Sequence, residues 1–191
     1  STACNKQFVK MVVEGLLYGQ LPFPTSFLSH SLQTFKNPTL ATTQKPTTME
    51  SSQTARKLKM LGMVLFLLGL ITGFVVMKFV NPRQGLAAHL EGVMNGTFLV
   101  VAGFVWSELW LSPKAQKAVY GLLLYGTFAN WFFTILGAVW GTSRITPLAG
   151  AGFTGSDMQE NIVAAGLATV GLSMVLSLLL IIYGLRGKVN R

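Results

Sequence analysis

The chain of 191 residues is 51% hydrophobic and only 11% charged, whereas a soluble domain carries roughly a quarter charged residues. Its formal charge of +9 comes from 15 Lys and Arg against 6 Asp and Glu, but the cations flank long apolar runs instead of clustering with aromatics. That pattern argues for a membrane and against nucleic acid. Cys4 is the only cysteine, which excludes an intrachain disulfide and a cysteine metal cluster.

Residues 1–55 form a polar N-terminal tail. Its one apolar patch, Phe8–Leu17, is too short to span a bilayer, which takes about 20 residues. From Pro22 to Thr54 the chain is rich in Ser, Thr, Pro and Gln. The tail is poor in acids, as transit peptides are, yet it has no Arg before Arg56. Met49 precedes Glu50-Ser-Ser-Gln-Thr54, which reads as a natural start, so the tail is either an extension or processed leader or a working segment, and no function is assigned to it.

Residues 56–191 form the second part and hold four long apolar segments, Met60–Val80, Leu86–Leu111, Ala118–Trp140 and Asn161–Leu185. Each is long enough to cross roughly 30 Å of hydrocarbon as a helix, and none alternates like a barrel strand. The expected fold is therefore an all-α membrane protein, a bundle of four transmembrane helices. Asn81-Pro-Arg-Gln-Gly85 and Ser112-Pro-Lys114 make tight turns. The third connection, Gly141–Glu160, is long and Gly-rich, and reads as a lid or as slack.

Cations set the orientation. Arg56, Lys57, Lys59, Lys114, Lys117, Arg186, Lys188 and Arg191 fall on one side if the four helices alternate. Lys78, Arg83 and Arg144 fall on the other, offset by Asp157 and Glu160. Both termini are then expected on the cytoplasmic side, or its organellar equivalent. The membrane is the inner or plasma membrane in a bacterium and an unspecified organelle in a eukaryote. Trp106, Trp110 and Trp140 fit an interfacial belt.

Small residues recur at packing spacings: Gly62, Gly69 and Gly73 with Phe66 and Met77, then Gly92 and Gly96, then Gly166, Thr169, Ser173 and Ser177. Such stripes let backbones approach in lipid, and packing is sufficient to explain them.

The second segment is different, because it places His89, Glu91 and Asn95 within seven residues. Ionisable groups at membrane depth are costly and normally face a partner, a cavity or a cofactor. Two readings of His89 stay open, a hydrogen-bonded interfacial histidine and a ligand. Glu91 reads as the partner of Lys78, Arg83 or Arg144 in a structural ion pair. At about 100° per residue Gly96 shares the His89 face, while Glu91 and Asn95 are turned away by roughly 120° or more. A planar ligand at His89 would thus have the glycine surface of Gly92 and Gly96 to lie against. The third segment offers a polar stripe of Tyr120, Thr127, Asn130 and Thr134, flanked by Tyr125 and Trp131. Asn130 is either interhelical glue or a substrate contact.

Several chemistries find no support: there is no HExxH, no GxSxG with a histidine partner, no P-loop and no dinucleotide fingerprint. Four spans without a repeated pair of broken helices argue against a secondary transporter.

The run Asn81-Pro-Arg-Gln-Gly-Leu-Ala-Ala-His-Leu-Glu-Gly-Val-Met-Asn-Gly-Thr97 resembles the hydroxylaminobenzene mutase family. So do Tyr125-Gly-Thr-Phe-Ala-Asn-Trp131 and Ala151-Gly-Phe-Thr-Gly-Ser156. The likeness spans about residues 57 to 186 and, more distantly, extends to styrene oxide isomerase through the His89-to-Asn95 spacing. The tail has no counterpart in it.

The resemblance implies an isomerase that converts aryl hydroxylamines to aminophenols or aryl epoxides to aldehydes. It implies haem b, with His89 as axial ligand and ferric iron as Lewis acid toward the substrate oxygen. Asn95, Tyr125 and Asn130 would orient that oxygen. Arg83, Arg144 or Lys78 would meet the propionates. The implied partners are a small aromatic substrate, the lipid bilayer and further copies of the chain, a trimer by resemblance. The competing class is a non-enzymatic haem-binding electron carrier or accessory subunit. A bis-histidine carrier would need His89 from two chains, since each bundle supplies one.

Overall fold

The computed structural model describes residues 49–187. The expected tail before Met49, with Cys4 and His30, and the cations Lys188 and Arg191 lie outside the described residues. Four long helices, α1 (Met49–Val75), α2 (Pro82–Val105), α3 (Pro113–Trp140) and α5 (Asp157–Leu185), are accompanied by a single turn, α4 (Pro147–Gly150). α1 and α2 run on into 3-10 turns at Val76–Lys78 and Trp106–Glu108. All four long helices are long and apolar enough to cross a membrane.

Every long helix starts earlier than its apolar run, and for three of the four the reason is local. Asn81 caps α2 by accepting from Gln84 N at 3.2 Å, Ser112 caps α3 by accepting from Ala115 N at 3.3 Å, and a proline follows each cap at the first helical position. Ser156 and Gln159 form a capping box at the start of α5. Side-chain oxygens at these positions satisfy the otherwise orphaned first N–H groups, so the helices nucleate in polar residues ahead of the hydrocarbon. α1 likewise extends back to Met49, so the boundary expected at residue 55 falls inside a helix.

α1 lies against α2, α2 against α3, and α3 against α5. The first contact is backbone on backbone. A Cβ on Gly69 would sit 2.6 Å from Val93 N, and one on Gly96 would sit 2.5 Å from Phe66 N. Only hydrogen fits there, and in lipid such close approach replaces hydrophobic drive. On α5, Gly166 receives the Phe133 ring and Ser173 Oγ donates to Leu122 O at 2.8 Å. One apolar core draws Leu58 and Leu65, Leu99 and Ala102, Val119 and Leu123, and Ile181 from the four helices around Trp106. Trp106 is 2% exposed and meets Tyr120 edge-on at 6.3 Å, so it belongs to this core and not to an interfacial belt.

The connection from α3 to α5 is neither lid nor slack. Gly141, at φ 68°, ends α3 in the left-handed conformation that glycine adopts without strain. Beyond it, Glu160 accepts from the backbone N–H groups of Ser143, Arg144 and Gly155, and Asn81 Nδ2 donates to the carbonyls of Ala149 and Gly150. The buried side chains of Glu160 on α5 and of Asn81, the cap of α2, therefore pin the loop along its length.

Candidate functional site

His89 sits two turns into α2, on the face that meets α1. Its Nδ1 lies 2.8 Å from the carbonyl oxygen of Gly69. A carbonyl only accepts, so Nδ1 carries the proton and Nε2 is the nitrogen left for another partner. Gly73, one turn further along α1, provides the space: a Cβ there would lie 2.8 Å from Nδ1. The Gly69–Gly73 pair thus does two jobs, close helix approach at the first residue and seating of an imidazole at the second. The half-buried ring borders a groove of about 720 Å³ lined by Leu70, Gly73, Phe74, Met77, Leu86 and Arg83, among others. The walls are apolar, with one cation at the rim. A fixed tautomer, a free ring nitrogen and an apolar cleft are what a metal-ligating histidine requires.

The second polar group of α2 faces elsewhere. Glu91 Oε2 accepts from Asn95 Nδ2 at 3.0 Å, one turn away, and from Asn130 Nδ2 on α3. The expected ion pair of Glu91 with Lys78, Arg83 or Arg144 does not form. Two amides from within the membrane-spanning helices take its place. Beside this cluster, Trp131 Nε1 donates to Thr72 Oγ1 at 3.1 Å and links α3 to α1. Thr72 passes its own proton to Leu68 O at 2.8 Å.

The profile of the styrene oxide isomerase family matches residues 54–186. The chain belongs to that family. It is also 46% identical over 138 residues to hydroxylaminobenzene mutase HabB of Ectopseudomonas oleovorans, covering 72% of this chain and 84% of the relative. To hydroxylaminobenzene mutase HabA of the same organism it is 44% identical over 103 residues, 53% of this chain and 76% of the relative. No solved structure matches the chain significantly. Styrene oxide isomerases and hydroxylaminobenzene mutases are isomerases by name, and the family is thus one of isomerases.

Within this member the remaining expected site residues scatter. Arg83 lines the His89 groove. Arg144 does not: it pairs with Asp157 at 2.9 Å and donates to Asn161, both in the first two turns of α5. Gly92 and Gly96 offer no surface for a planar ligand, because the backbone of α1 at Gly69 and Phe66 already covers them. Tyr125 turns toward α5, where its hydroxyl lies 2.7 Å from Thr169 Oγ1, away from the Glu91 cluster. Asn95 and Asn130, by contrast, are brought together by Glu91.

In the sequence, Gly69, Gly73 and Met77 read as a packing stripe alone, and Leu70 and Phe74 only as part of the first apolar run. The signal that could have found the groove is the coincidence of a GxxxG on one helix with a lone histidine on the next across a short turn.

Proposed function

We propose that the chain is a haem-dependent membrane isomerase of small aromatic oxygen compounds, converting an aryl hydroxylamine to an aminophenol or an aryl epoxide to an aldehyde. The observation that carries this reading is the His89 ring, fixed through Nδ1 on Gly69 with Nε2 left free beside an apolar groove. The residues fit a haem: His89 would supply a ligand to its iron, the apolar walls would receive the macrocycle, and Arg83 would meet a propionate. Bound there, ferric haem supplies a Lewis acid for the substrate oxygen.

The chain itself supplies orientation. Asn95 and Asn130 hold fixed amides with which to steer the oxygen, while Tyr125, bonded to Thr169, stands apart from them. A small apolar aromatic partitions into lipid and reaches such a site laterally. Because His89 meets α1 while Asn95 and Asn130 meet across α2 and α3, a homo-oligomer that sets one chain's His89 face against its neighbour's amides completes the site. Family resemblance favours a trimer. The cation distribution favours both termini on the cytoplasmic face. In a bacterium this is the inner membrane.

Membranes containing the protein, incubated with phenylhydroxylamine and with styrene oxide, should yield aminophenol or phenylacetaldehyde. His89→Ala should abolish the Soret band while the chain remains folded in the membrane. Full haem occupancy in that variant overturns the reading, as does a low-spin bis-histidine spectrum without turnover.

A further inference from the structure

Asn95 on α2 and Asn130 on α3 are joined only through Glu91, whose Oε2 accepts from both amide nitrogens. An oxygen that accepts from two amides forces each to present its N–H side, and so turns each carbonyl oxygen away. Neither Asn95 Oδ1 nor Asn130 Oδ1 has a hydrogen-bond partner among the described residues, and Glu91 has no cationic one. A carboxyl group without a counter-ion is an expensive way to tie two helices at membrane depth. Glutamine would reach as far at lower cost. What glutamine cannot do is impose one polarity, because its own amide can turn over and let the asparagines turn with it.

We propose that Glu91 is a positioning residue that locks the Asn95 and Asn130 amides with their oxygens outward, making a pair of acceptors that selects substrates bearing N–H and O–H donors. The inference rests on the small aromatic oxygen compound assigned above. An aryl hydroxylamine brings two donors on adjacent atoms, whereas an aryl epoxide of similar size brings none. Against fixed acceptors the epoxide leaves two carbonyl oxygens desolvated and unpaired, and unpaired polar groups are the strongest means a site has of rejecting an analogue.

The test compares the full-length parent with Glu91→Gln, measuring kcat/KM for phenylhydroxylamine and for styrene oxide, together with haem content and unfolding temperature. The parent should prefer the hydroxylamine. Glu91→Gln should retain haem and lose about tenfold or more of that preference, the scale of one good hydrogen bond. Glu91→Leu, which carries no polar group into the hydrocarbon, should lose it too and serves if the glutamine variant does not accumulate. An unchanged ratio in a folded, haem-loaded variant overturns the proposal, as does an equal fall for both substrates. If the parent turns over neither compound, the functional reading fails. Equilibrium binding of the same two compounds to parent and variant then decides the polarity by itself, and a preference equal in both chains overturns it.

Discussion

The carbonyl oxygen of Gly69 accepts from His89 Nδ1 at 2.8 Å, and Gly73 one turn later leaves the room in which the ring stands. Orientation of the imidazole is therefore a property of α1, although the residue belongs to α2. Gly73→Ala places a Cβ 2.8 Å from Nδ1 and must push the ring off its carbonyl. On the haem reading, occupancy should fall severalfold, read as Soret absorbance per chain, with membrane insertion unchanged. Gly121→Ala, where a Cβ meets nothing within 4 Å, is the matched control and should leave the spectrum alone.

The α1–α2 contact predicts a different failure. At Gly69 and Gly96 an added Cβ meets backbone, which cannot rotate aside. Gly96→Val should therefore separate the helices and cost about 1–3 kcal/mol, the usual penalty for overpacking. Thermal unfolding in detergent should register it. Gly171→Val on α5, with open space around its Cβ, should change the midpoint little.

The four spans were legible because long apolar runs have no other stable home, and the divergence of His89 from Glu91 and Asn95 followed from helical period alone. Helix starts were not legible from hydropathy, since Asn81, Ser112 and Ser156 cap them in polar residues that precede the apolar runs. Nor can periodicity say which neighbour a face meets. That is why Gly92 and Gly96 passed for a ligand surface when α1 covers them, and why Arg144 passed for a propionate ligand when Asp157 and Asn161 claim it. Trp106 was misread for a related reason. A tryptophan near a helix end is interfacial only if nothing packs over it, and here Tyr120 and the core do.

Glu160 holds the connection between α3 and α5 through the backbone N–H groups of Ser143, Arg144 and Gly155. Removing the carboxyl in Glu160→Ala strands these donors, each at a cost of about 1–3 kcal/mol where buried. Trypsin should then cut after Arg144 several times faster than in the parent. Asp157→Asn should not accelerate cleavage comparably, because the Arg144–Asp157 pair is solvent-exposed, with side chains 49% and 95% accessible, and such pairs contribute little.

The last prediction concerns how the two polar faces of α2 come to serve one reaction. His89 points to α1 and Asn95 toward α3, where Glu91 ties it to Asn130. Within one chain the α2 backbone stands between them. If the site lies between copies, an assembly of inactive His89→Ala chains with inactive Asn95→Ala chains contains some interfaces where an intact histidine meets an intact asparagine. Co-expression of the two, each with its own affinity tag, followed by sequential purification should recover a fraction of parental activity, below one half because only some interfaces are complete. Single variants purified alone should show none. Folded, verified mixed oligomers with no recovered activity would place the whole site within one chain, reached by a rearrangement of α2 against α1.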